Sequence, residues 1–232
     1  LVLAPAIAGL EQPNSSGLVE FSRRQAALVV LSVLVLATLA YGRALWLPFI
    51  SDDYLQIQLA RDYGPISNWG ALANDALYRC RATSLVFTYW LDRAAGLTPF
   101  YYNLASLLLH IVDSLLVFAL GLWRPVGWRV AGLAACFFAV SQRHSEAVVW
   151  FAAVPELLVF FFVLASFLFW VRWLETHSAP LLYTGALGCY LLALSSKESA
   201  VSTVPLCVLA VLWHPARPLR KLWGLTPFAV MA

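Results

Sequence analysis

The stretch PELLVFFFVLASFLFWVRW, residues 155–173, decides the fold class of this chain. Between Glu156 near its start and Arg172 near its end, it contains a single polar residue, a serine. About 20 apolar residues in an α-helix are enough to cross a bilayer core about 30 Å thick. Pro155 suits the first turn of a helix, and Glu156 suits the positive end of the helix dipole. We therefore predict a membrane-spanning helix from Pro155, preceded by a partly irregular connection over residues 141–154.

The composition of the whole chain also indicates a membrane protein. Of its 232 residues, 62% are hydrophobic and 12% are charged, whereas a soluble domain usually carries about 25% charged residues. The ten Trp and nine Tyr residues fit the aromatic belts found at membrane interfaces. The net charge of +3 is small and spread in short clusters, so we expect no nucleic-acid partner. The four cysteines show neither the context of a disulfide framework nor the spacing of a zinc site.

Six apolar runs predict an all-α fold, a polytopic bundle of about six membrane-spanning helices. Besides the run described above, they are residues 25–50, 100–123, 130–140, 181–194 and 201–213. A long outer loop of about residues 51–99 follows the first span. Within it, residues 85–97 are apolar but contain Asp92 and Arg93, and they predict a juxtamembrane helix rather than a span.

The basic residues set the predicted orientation, because short cytoplasmic loops carry an excess of Lys and Arg. The clusters beside alternate span ends are Arg23, Arg24, Arg124, Arg129, Arg172, Arg217, Arg220 and Lys221. We expect an integral multi-pass protein of a bacterial inner membrane or an ER-type membrane, with both ends in the cytoplasm. The chain divides into a cytoplasmic segment 1–24, a transmembrane domain 25–213, and a basic cytoplasmic segment 214–232 that leads into a truncated further span. We therefore expect a fragment of a longer protein.

With this orientation, several charged side chains fall on the non-cytoplasmic side, at or just below the membrane surface. They are Asp52, Asp53, Arg79, His144, Glu146, Glu156, Lys197 and Glu198. Acids, a histidine and cations that share a cavity at membrane level favour a site for an anionic substrate carried by a lipid.

Structural explanations stay open for each part of this group. Asp52 and Asp53 can cap a short helix. Residues 144–146 can be a polar loop tip. Lys197 and Glu198 can form an ion pair where two helices join.

Several short motifs occur in a fixed order between residues 49 and 213. They are FISDDY at 49–54, YR at 78–79, TPFYYNLASLLLH at 98–110, HSEAV at 144–148, WFAAVPE at 150–156 and SKE at 196–198. This series resembles the GT-C superfamily of polytopic glycosyltransferases, and in particular its protein O-mannosyltransferase-like, tetratricopeptide-associated branch. Members typically transfer a sugar from a polyprenyl- or dolichyl-phosphate carrier to an acceptor outside the cytoplasm. An acidic motif in the first outer loop is their hallmark.

The resemblance implies a glycosyltransferase that moves a sugar such as mannose to a hydroxyl of a protein or glycan acceptor. Its partners would then be the lipid bilayer, the lipid-linked sugar donor and that acceptor. The resemblance implies Asp53, or its neighbour Asp52, as the catalytic base. The implied ligands of the substrate and the lipid phosphate are Arg79, His144, Glu146, Glu156, Lys197 and Glu198. Many members of the family need no metal, and if a divalent metal takes part, Asp52 and Asp53 would supply its oxygen ligands.

Two other functions stay open. Members of the family commonly have His-Pro where this chain has Ser141-Gln142, which allows a catalytically inactive membrane scaffold. Asp113, inside the second predicted span, is the residue that most favours a transporter or permease fragment, because carboxylates within a membrane often bind ions or relay protons. A transporter would be expected to show an internal repeat with broken helices, and the sequence shows no such repeat.

Overall fold

A computed structural model of the chain describes residues 22–123, 125–176, 179–214 and 219–232. The regular structure within these ranges is helical throughout. Arg124, Arg217 and residues 1–21, which form most of the predicted N-terminal segment, lie outside the described residues.

The described residues form α-helices that we number in chain order. The helices are α1 (Arg23–Tyr41), α2 (Ser51–Tyr63), α3 (Trp69–Asn74), α4 (Ala82–Ala95), α5 (Pro99–Ala119), α6 (Gly127–Val140), α7 (Ser145–Val149), α8 (Val154–Glu175), α9 (Pro180–Leu194), α10 (Thr203–Trp213) and α11 (Thr226–Met231). Short 3₁₀ turns join many of them. The turns are Gly42–Trp46, Ile66–Asn68, Arg79–Arg81, Leu120–Leu122, Gln142–His144, Phe151–Ala153, Glu198–Ser202 and Leu219–Leu225.

Within the described residues, three helical segments are long and apolar enough to cross a membrane, namely Arg23–Trp46, Pro99–Leu122 and Phe151–Glu175. They match the first, second and fourth predicted spans. The other apolar runs form shorter helices, of which α6 has 14 residues and α9 has 15. At 1.5 Å per residue, a helix of 14 residues is only about 21 Å long. The architecture is compatible with a membrane helical bundle, while the count of six spans stays a prediction.

The start of α8 agrees with the sequence-based interpretation. The helix begins at Val154, and Pro155 and Glu156 lie in its first turn. A proline in the first turn removes only an N–H that would lack a partner within the helix. The preceding connection is irregular, as predicted, because it is divided between two 3₁₀ turns and the five-residue helix α7.

The outer loop forms helices, and the carboxylate of Asp92 links two of them by hydrogen bonds. Arg61 of α2 donates from Nε and Nη2 to the two oxygens of Asp92 in α4, at 2.9 Å each. Tyr102 of α5, which is fully buried, donates its hydroxyl to the same carboxylate at 3.3 Å. The acid that interrupts the apolar run 85–97 therefore joins α4 to α2 and to the second long helix. The predicted juxtamembrane helix is confirmed as a helix, and it begins earlier, at Ala82.

The two largest apolar clusters among the described residues join the long helices. The first involves α1, α5 and α6, and small side chains on α6 let these helices approach closely. Its fully buried members are Val33, Ala37, Ala131, Ala135 and Ala139. The second involves α8, α9, α10 and α11, and its fully buried members are Trp170, Ala186, Tyr190, Cys207, Ala210, Val211 and Phe228.

The end of α8 away from Pro155 is capped by a lysine from the C-terminal segment. Lys221 donates to the carbonyls of Trp173, Leu174 and Thr176 at 2.8, 3.1 and 3.1 Å. Its ammonium also lies 4.4 Å from the centre of the Trp173 ring. A cation is favourable there, because the last carbonyls of a helix lack partners and carry the negative end of its dipole. The described residues 219–232 of the basic segment are therefore packed against the bundle.

Candidate functional site

Three polar segments meet at the end of α8 that contains Pro155. They are the outer loop after α1 (residues 51–99), the connection that precedes α8 (residues 141–153), and the hinge between α9 and α10 (residues 195–202). We call the region where they meet the junction. A hydrogen bond from Ala152 to Asp53 joins the first two segments. Bonds from Thr83 to Ser195 join the outer loop to the hinge. An ion pair between Lys197 and Glu156 joins the hinge to α8.

Asp53 is the residue that ties the outer loop to the connection. Its Oδ2 accepts the N–H of Ile50 at 2.8 Å, and its Oδ1 accepts the N–H of Ala152 at 2.8 Å. The first bond caps the start of α2, so the capping explanation is confirmed for Asp53. The residue is only 3% exposed. Burial raises the pKa of the Asp53 carboxyl above its ordinary value, against the opposing effect of the two backbone N–H groups.

Asp52 has a different environment from its neighbour. It is exposed in the first turn of α2, and no hydrogen bond or ion pair engages its carboxylate within the described parts of the chain. The α2 backbone beneath it is fixed by Asp53 and by Phe49, whose ring packs edge-on against buried Tyr102 at 5.0 Å. Asp52 is thus a solvent-facing carboxylate on a rigid support.

The described residues contain no group of three or more His, Cys, Asp or Glu side chains placed to hold a metal ion. Both oxygens of Asp53 already accept backbone N–H groups. A divalent ion at Asp52 and Asp53 would therefore have to replace or share those bonds.

Lys197 forms its ion pair with Glu156, 41 positions earlier in the chain. The alternative that Lys197 pairs with Glu198 is therefore wrong. The backbone at Lys197 is extended, with φ −165° and ψ 147°, and neighbouring side chains on an extended backbone point to opposite sides. Glu198 is exposed at the start of the following 3₁₀ turn. Lys197 and Glu156 therefore belong to one arrangement, and Glu198 stands apart from it.

Arg79 begins the 3₁₀ turn Arg79–Arg81 and is exposed. Its backbone N–H bonds the carbonyl of Asp75 at 3.0 Å, which fixes the start of the turn. Thr83, two residues beyond the turn, contacts the hinge that carries Lys197. The turn Arg79–Arg81 therefore lies close in the fold to the hinge that carries Lys197.

His144 faces the bundle rather than the other site residues. Its Nδ1 lies 3.2 Å from the carbonyl oxygen of Phe138, and its ring lies 4.0 Å from the Phe138 ring. Burial lowers the pKa of His144, so the imidazole is neutral at pH 7. Because a carbonyl only accepts, we assign the proton to Nδ1, which leaves Nε2 as an acceptor. His144 is thus suited to accept a hydrogen bond and poorly suited to neutralise a phosphate.

Glu146 is exposed in the first turn of α7. Across the described ranges, no hydrogen bond or ion pair connects Glu146 or His144 with Asp52, Asp53 or Lys197. The structure therefore brings together Asp53, Lys197 and Glu156 through three joined segments, and it leaves His144 and Glu146 on the periphery.

Four residues of this junction were not among the predicted site residues, namely Thr83, Ala152, Ser195 and Ser196. Ala152 takes part through its backbone N–H, which no side-chain pattern reveals. Thr83, Ser195 and Ser196 are ordinary helix-end and hinge residues in sequence terms. The serines beside Lys197 interrupt the apolar runs 181–194 and 201–213, and this pattern indicates a polar connection without indicating its partner.

Asp113, the residue that most favours a transporter, is fully buried in α5. Its two carboxylate oxygens have no hydrogen-bond partner in the described structure, and the same is true of Nδ1 of His110 one turn earlier. Both residues lie inside the second long helix, away from the three contacts that build the junction. They form a separate polar position within the bundle.

Comparison with known proteins gives one relative of stated activity. The chain is 26% identical over 206 residues to the protein O-mannosyl-transferase TMTC1 of Mus musculus. The match covers 79% of this chain and 22% of that protein. The chain thus spans about a fifth of the length of the relative that it matches. No family model matches the chain, and no solved structure matches it.

Proposed function

We propose that this chain is part of a membrane glycosyltransferase that moves a sugar such as mannose from a polyprenyl- or dolichyl-phosphate carrier to a hydroxyl of a protein or glycan. The observation that carries the proposal is the bond between Asp53 and Ala152, together with the ion pair between Lys197 and Glu156. These two contacts bring an acidic helix start and a cationic hinge to the same end of the bundle. The similarity to TMTC1 supports the same reaction class.

The two carboxylates have different roles in this proposal. The sequence favoured Asp53 as the base, but its two oxygens are engaged by backbone N–H groups. Asp52 is free of such bonds in the described structure and faces solvent, where an acceptor hydroxyl can approach. We therefore assign proton removal to Asp52 and the positioning of α2 to Asp53.

In the proposed reaction, Asp52 takes the proton of the acceptor hydroxyl while the oxygen of that hydroxyl bonds to the anomeric carbon of the sugar. The bond between that carbon and the phosphate oxygen breaks, and the carrier leaves as a lipid phosphate. The departing phosphate gains negative charge, which a nearby cation stabilises. Lys197 supplies this cation, and Glu156 holds its ammonium in place. The exposed Arg79 lies in the turn near the hinge that carries Lys197.

The proposed face of the membrane is the non-cytoplasmic one. Arg23, Arg24 and Lys221 lie away from the junction, towards the ends that the positive-inside rule assigns to the cytoplasm. Lys221 caps the C-terminal end of α8, whereas Glu156 lies in the first turn of the same helix. The asymmetry of charge along α8 thus supports this orientation.

The test of the proposed function is sugar transfer by membranes that contain the full-length protein. One sample receives labelled polyprenyl-phosphate mannose and another receives a labelled nucleotide-linked mannose, each with a peptide library rich in Ser and Thr. We expect label on the peptides only from the lipid-linked donor, and only with the wild-type protein. Label no higher than in membranes without the protein would contradict the proposal and favour a scaffold.

A further inference from the structure

The basic turn Arg79–Arg81 belongs to a segment that is fixed at both ends. At its start, the carboxylate of Asp75 accepts the N–H groups of Leu77 and Tyr78 at 2.9 and 3.1 Å. The hydroxyl of Tyr63 donates to the same carboxylate at 3.0 Å. These bonds, with that from Leu77 the strongest, lower the pKa of Asp75. The carboxylate is therefore ionised at neutral pH and holds the start of the turn.

At the other end, Thr83 joins α4 to the hinge across more than 110 positions of the chain. Its N–H donates to the carbonyl of Ser195 at 3.0 Å, and its hydroxyl donates to the same oxygen at 3.1 Å. The hydroxyl also contacts that of Ser196, which is fully buried. Arg81 lies two residues before Thr83, and Lys197 directly follows Ser196. The contact therefore brings the backbone near Arg81 close to the hinge that carries Lys197.

The charge of Arg81 is available for a ligand. Arg61 in the same loop is engaged by Asp92 through Nε and Nη2 of its guanidinium. Arg81, by contrast, makes no ion pair within the described portions of the chain, and it is half-buried at the loop–hinge contact. Its backbone is held in place, because its carbonyl accepts the hydroxyl of Ser84 at 2.9 Å.

Lys197 retains capacity for a second anion although it is paired with Glu156. An ammonium group has three donors, and Glu156 is bonded through one oxygen. The side chain of Lys197 is 25% exposed, so its head is open to a ligand while its stem is packed. A phosphate can therefore approach Lys197 without removing Glu156.

We propose that Arg81 and Lys197 together bind one phosphate group of an anionic lipid, and that Thr83 is the positioning residue that holds the two cations side by side. This inference rests on the proposed function, in which that phosphate belongs to the sugar carrier. An arginine offers a planar fork that matches two phosphate oxygens, and a lysine adds a point charge. Thr83 touches neither the phosphate nor the sugar.

Binding of farnesyl phosphate to the full-length protein in nanodiscs of neutral phospholipid tests the inference. Binding of farnesol and of inorganic phosphate is measured in parallel. These two ligands separate the contribution of the isoprenoid tail from that of the phosphate group. Arg81→Gln and Lys197→Gln should each raise the Kd for farnesyl phosphate roughly tenfold to a hundredfold, the loss expected for one charged contact. Arg93→Gln is the matched control, since Arg93 is an exposed arginine at the far end of α4. It should leave the Kd unchanged.

The role of Thr83 is tested by two variants and one combination. Thr83→Val keeps the shape and the N–H bond to Ser195 but removes the hydroxyl, and it should raise the Kd about threefold to tenfold. Thr83→Ser keeps the hydroxyl and should restore binding. If Thr83 acts through Arg81, then Arg81→Gln should cost less affinity in the Thr83→Val background than in the wild type. Additive effects would show that Thr83 does not position Arg81.

The outcomes separate this inference from the proposed function. Weaker binding in Lys197→Gln with unchanged binding in Arg81→Gln would overturn the paired-cation inference and leave the proposed function in place. Absence of farnesyl phosphate binding to the wild-type protein would overturn both. Equal affinity for inorganic phosphate would overturn the lipid as the source of the phosphate.

Discussion

The Oδ1 oxygen of Asp53 accepts the backbone N–H of Ala152 at 2.8 Å, across 99 positions of the chain. The bond ties the first turn of α2 to the 3₁₀ turn that leads into α8. A carboxylate accepts from two donors at once, and Asp53 uses its other oxygen for the N–H of Ile50. One side chain therefore sets the positions of the acidic motif and of Glu156 relative to each other.

Replacing Asp53 by Asn should destabilise the protein more than replacing Asp52 by Asn. The Asn amide has one acceptor oxygen, so one of the two part-buried N–H groups would face another donor. A fully buried N–H without an acceptor costs about 1–3 kcal/mol, so we expect a loss towards the lower end of this range. We expect a lower melting temperature for Asp53→Asn, measured by tryptophan fluorescence in detergent. Equal melting temperatures for the two variants would show that the bond to Ala152 contributes little.

The ion pair between Arg61 and Asp92 predicts a weakening of the outer loop in acid. The bonds from Arg61 hold the pKa of Asp92 below its ordinary value. A carboxyl with a lowered pKa stabilises the fold above the unfolded-state pKa of about 3.9, and it loses that contribution as the pH falls through its folded-state pKa. Asp92→Asn should therefore lower the melting temperature at pH 7 and show a smaller further loss below about pH 4. Parallel pH profiles for wild type and variant would contradict this.

The contribution of Asp53 to stability should change with pH in the opposite direction from that of Asp92. Burial raises its pKa in the folded protein, so its contribution to stability is greatest below the unfolded-state value and falls as the pH rises through the folded-state pKa. The acid-induced loss should thus come from Asp92 and not from Asp53. Asp53→Asn should keep the full acid-induced drop in melting temperature, and a drop that disappears in this variant would reverse the assignment.

Gly64 at the end of α2 is predicted to tolerate no side chain. A Cβ there would lie 2.5 Å from Cβ of Tyr89 and 2.9 Å from the carbonyl oxygen of Leu85, both in α4. Gly64→Ala should therefore push α2 away from α4 and lower the melting temperature. Gly70→Ala in α3 is the matched control, since nothing lies within 4 Å of a Cβ at that position. A similar melting temperature for the two variants would show that α2 and α4 are not in close contact.

The orientation is predicted by the basic residues and tested by labelling. Leu77 is 77% exposed in the outer loop, so a cysteine there should react with a membrane-impermeant maleimide added to the non-cytoplasmic side. The native Cys80 is replaced by Ser in this experiment, because it lies in the same loop. A reporter fused after Arg220 should read cytoplasmic. Reaction of the Leu77 cysteine only from the cytoplasmic side would place the junction in the wrong compartment for the proposed reaction.

The long apolar elements were predictable from the sequence because their signal is local. An apolar run as long as residues 155–173 predicts a helix in a membrane or in a protein core, and Pro155 predicts where that helix begins. The short runs that became α6 and α9 gave the same kind of signal, but their length alone does not settle whether they cross the bilayer. Span number depends on a lipid boundary that neither hydropathy nor packing within the chain defines.

The residue types of the candidate site are visible in the sequence, and their pairings are not. The sequence offered Glu198 as the partner of Lys197 because the two residues are adjacent where two helices join. The extended backbone at Lys197 separates them, and Glu156 from another helix takes the place of Glu198. The bond from Ala152 to Asp53 uses a backbone N–H, which carries no residue signature. Pairings of this kind follow from the tertiary fold, so composition and motif order cannot supply them.

In the proposed function, the acidic motif performs sugar transfer with divided roles, Asp52 as base and Asp53 as support. The direct measurement is the rate of mannose transfer from polyprenyl-phosphate mannose by full-length protein, at equal membrane expression. Wild type is compared with Asp52→Asn, Asp53→Asn and the control Asp62→Asn, an exposed acid on the same helix. Asp52→Asn should lose roughly 10²–10⁴-fold in rate, the usual contribution of a general base. Asp53→Asn should lose less, and Asp62→Asn should match the wild type. Wild-type rates in both Asp52→Asn and Asp53→Asn would contradict the claim and reduce the acidic pair to a helix cap.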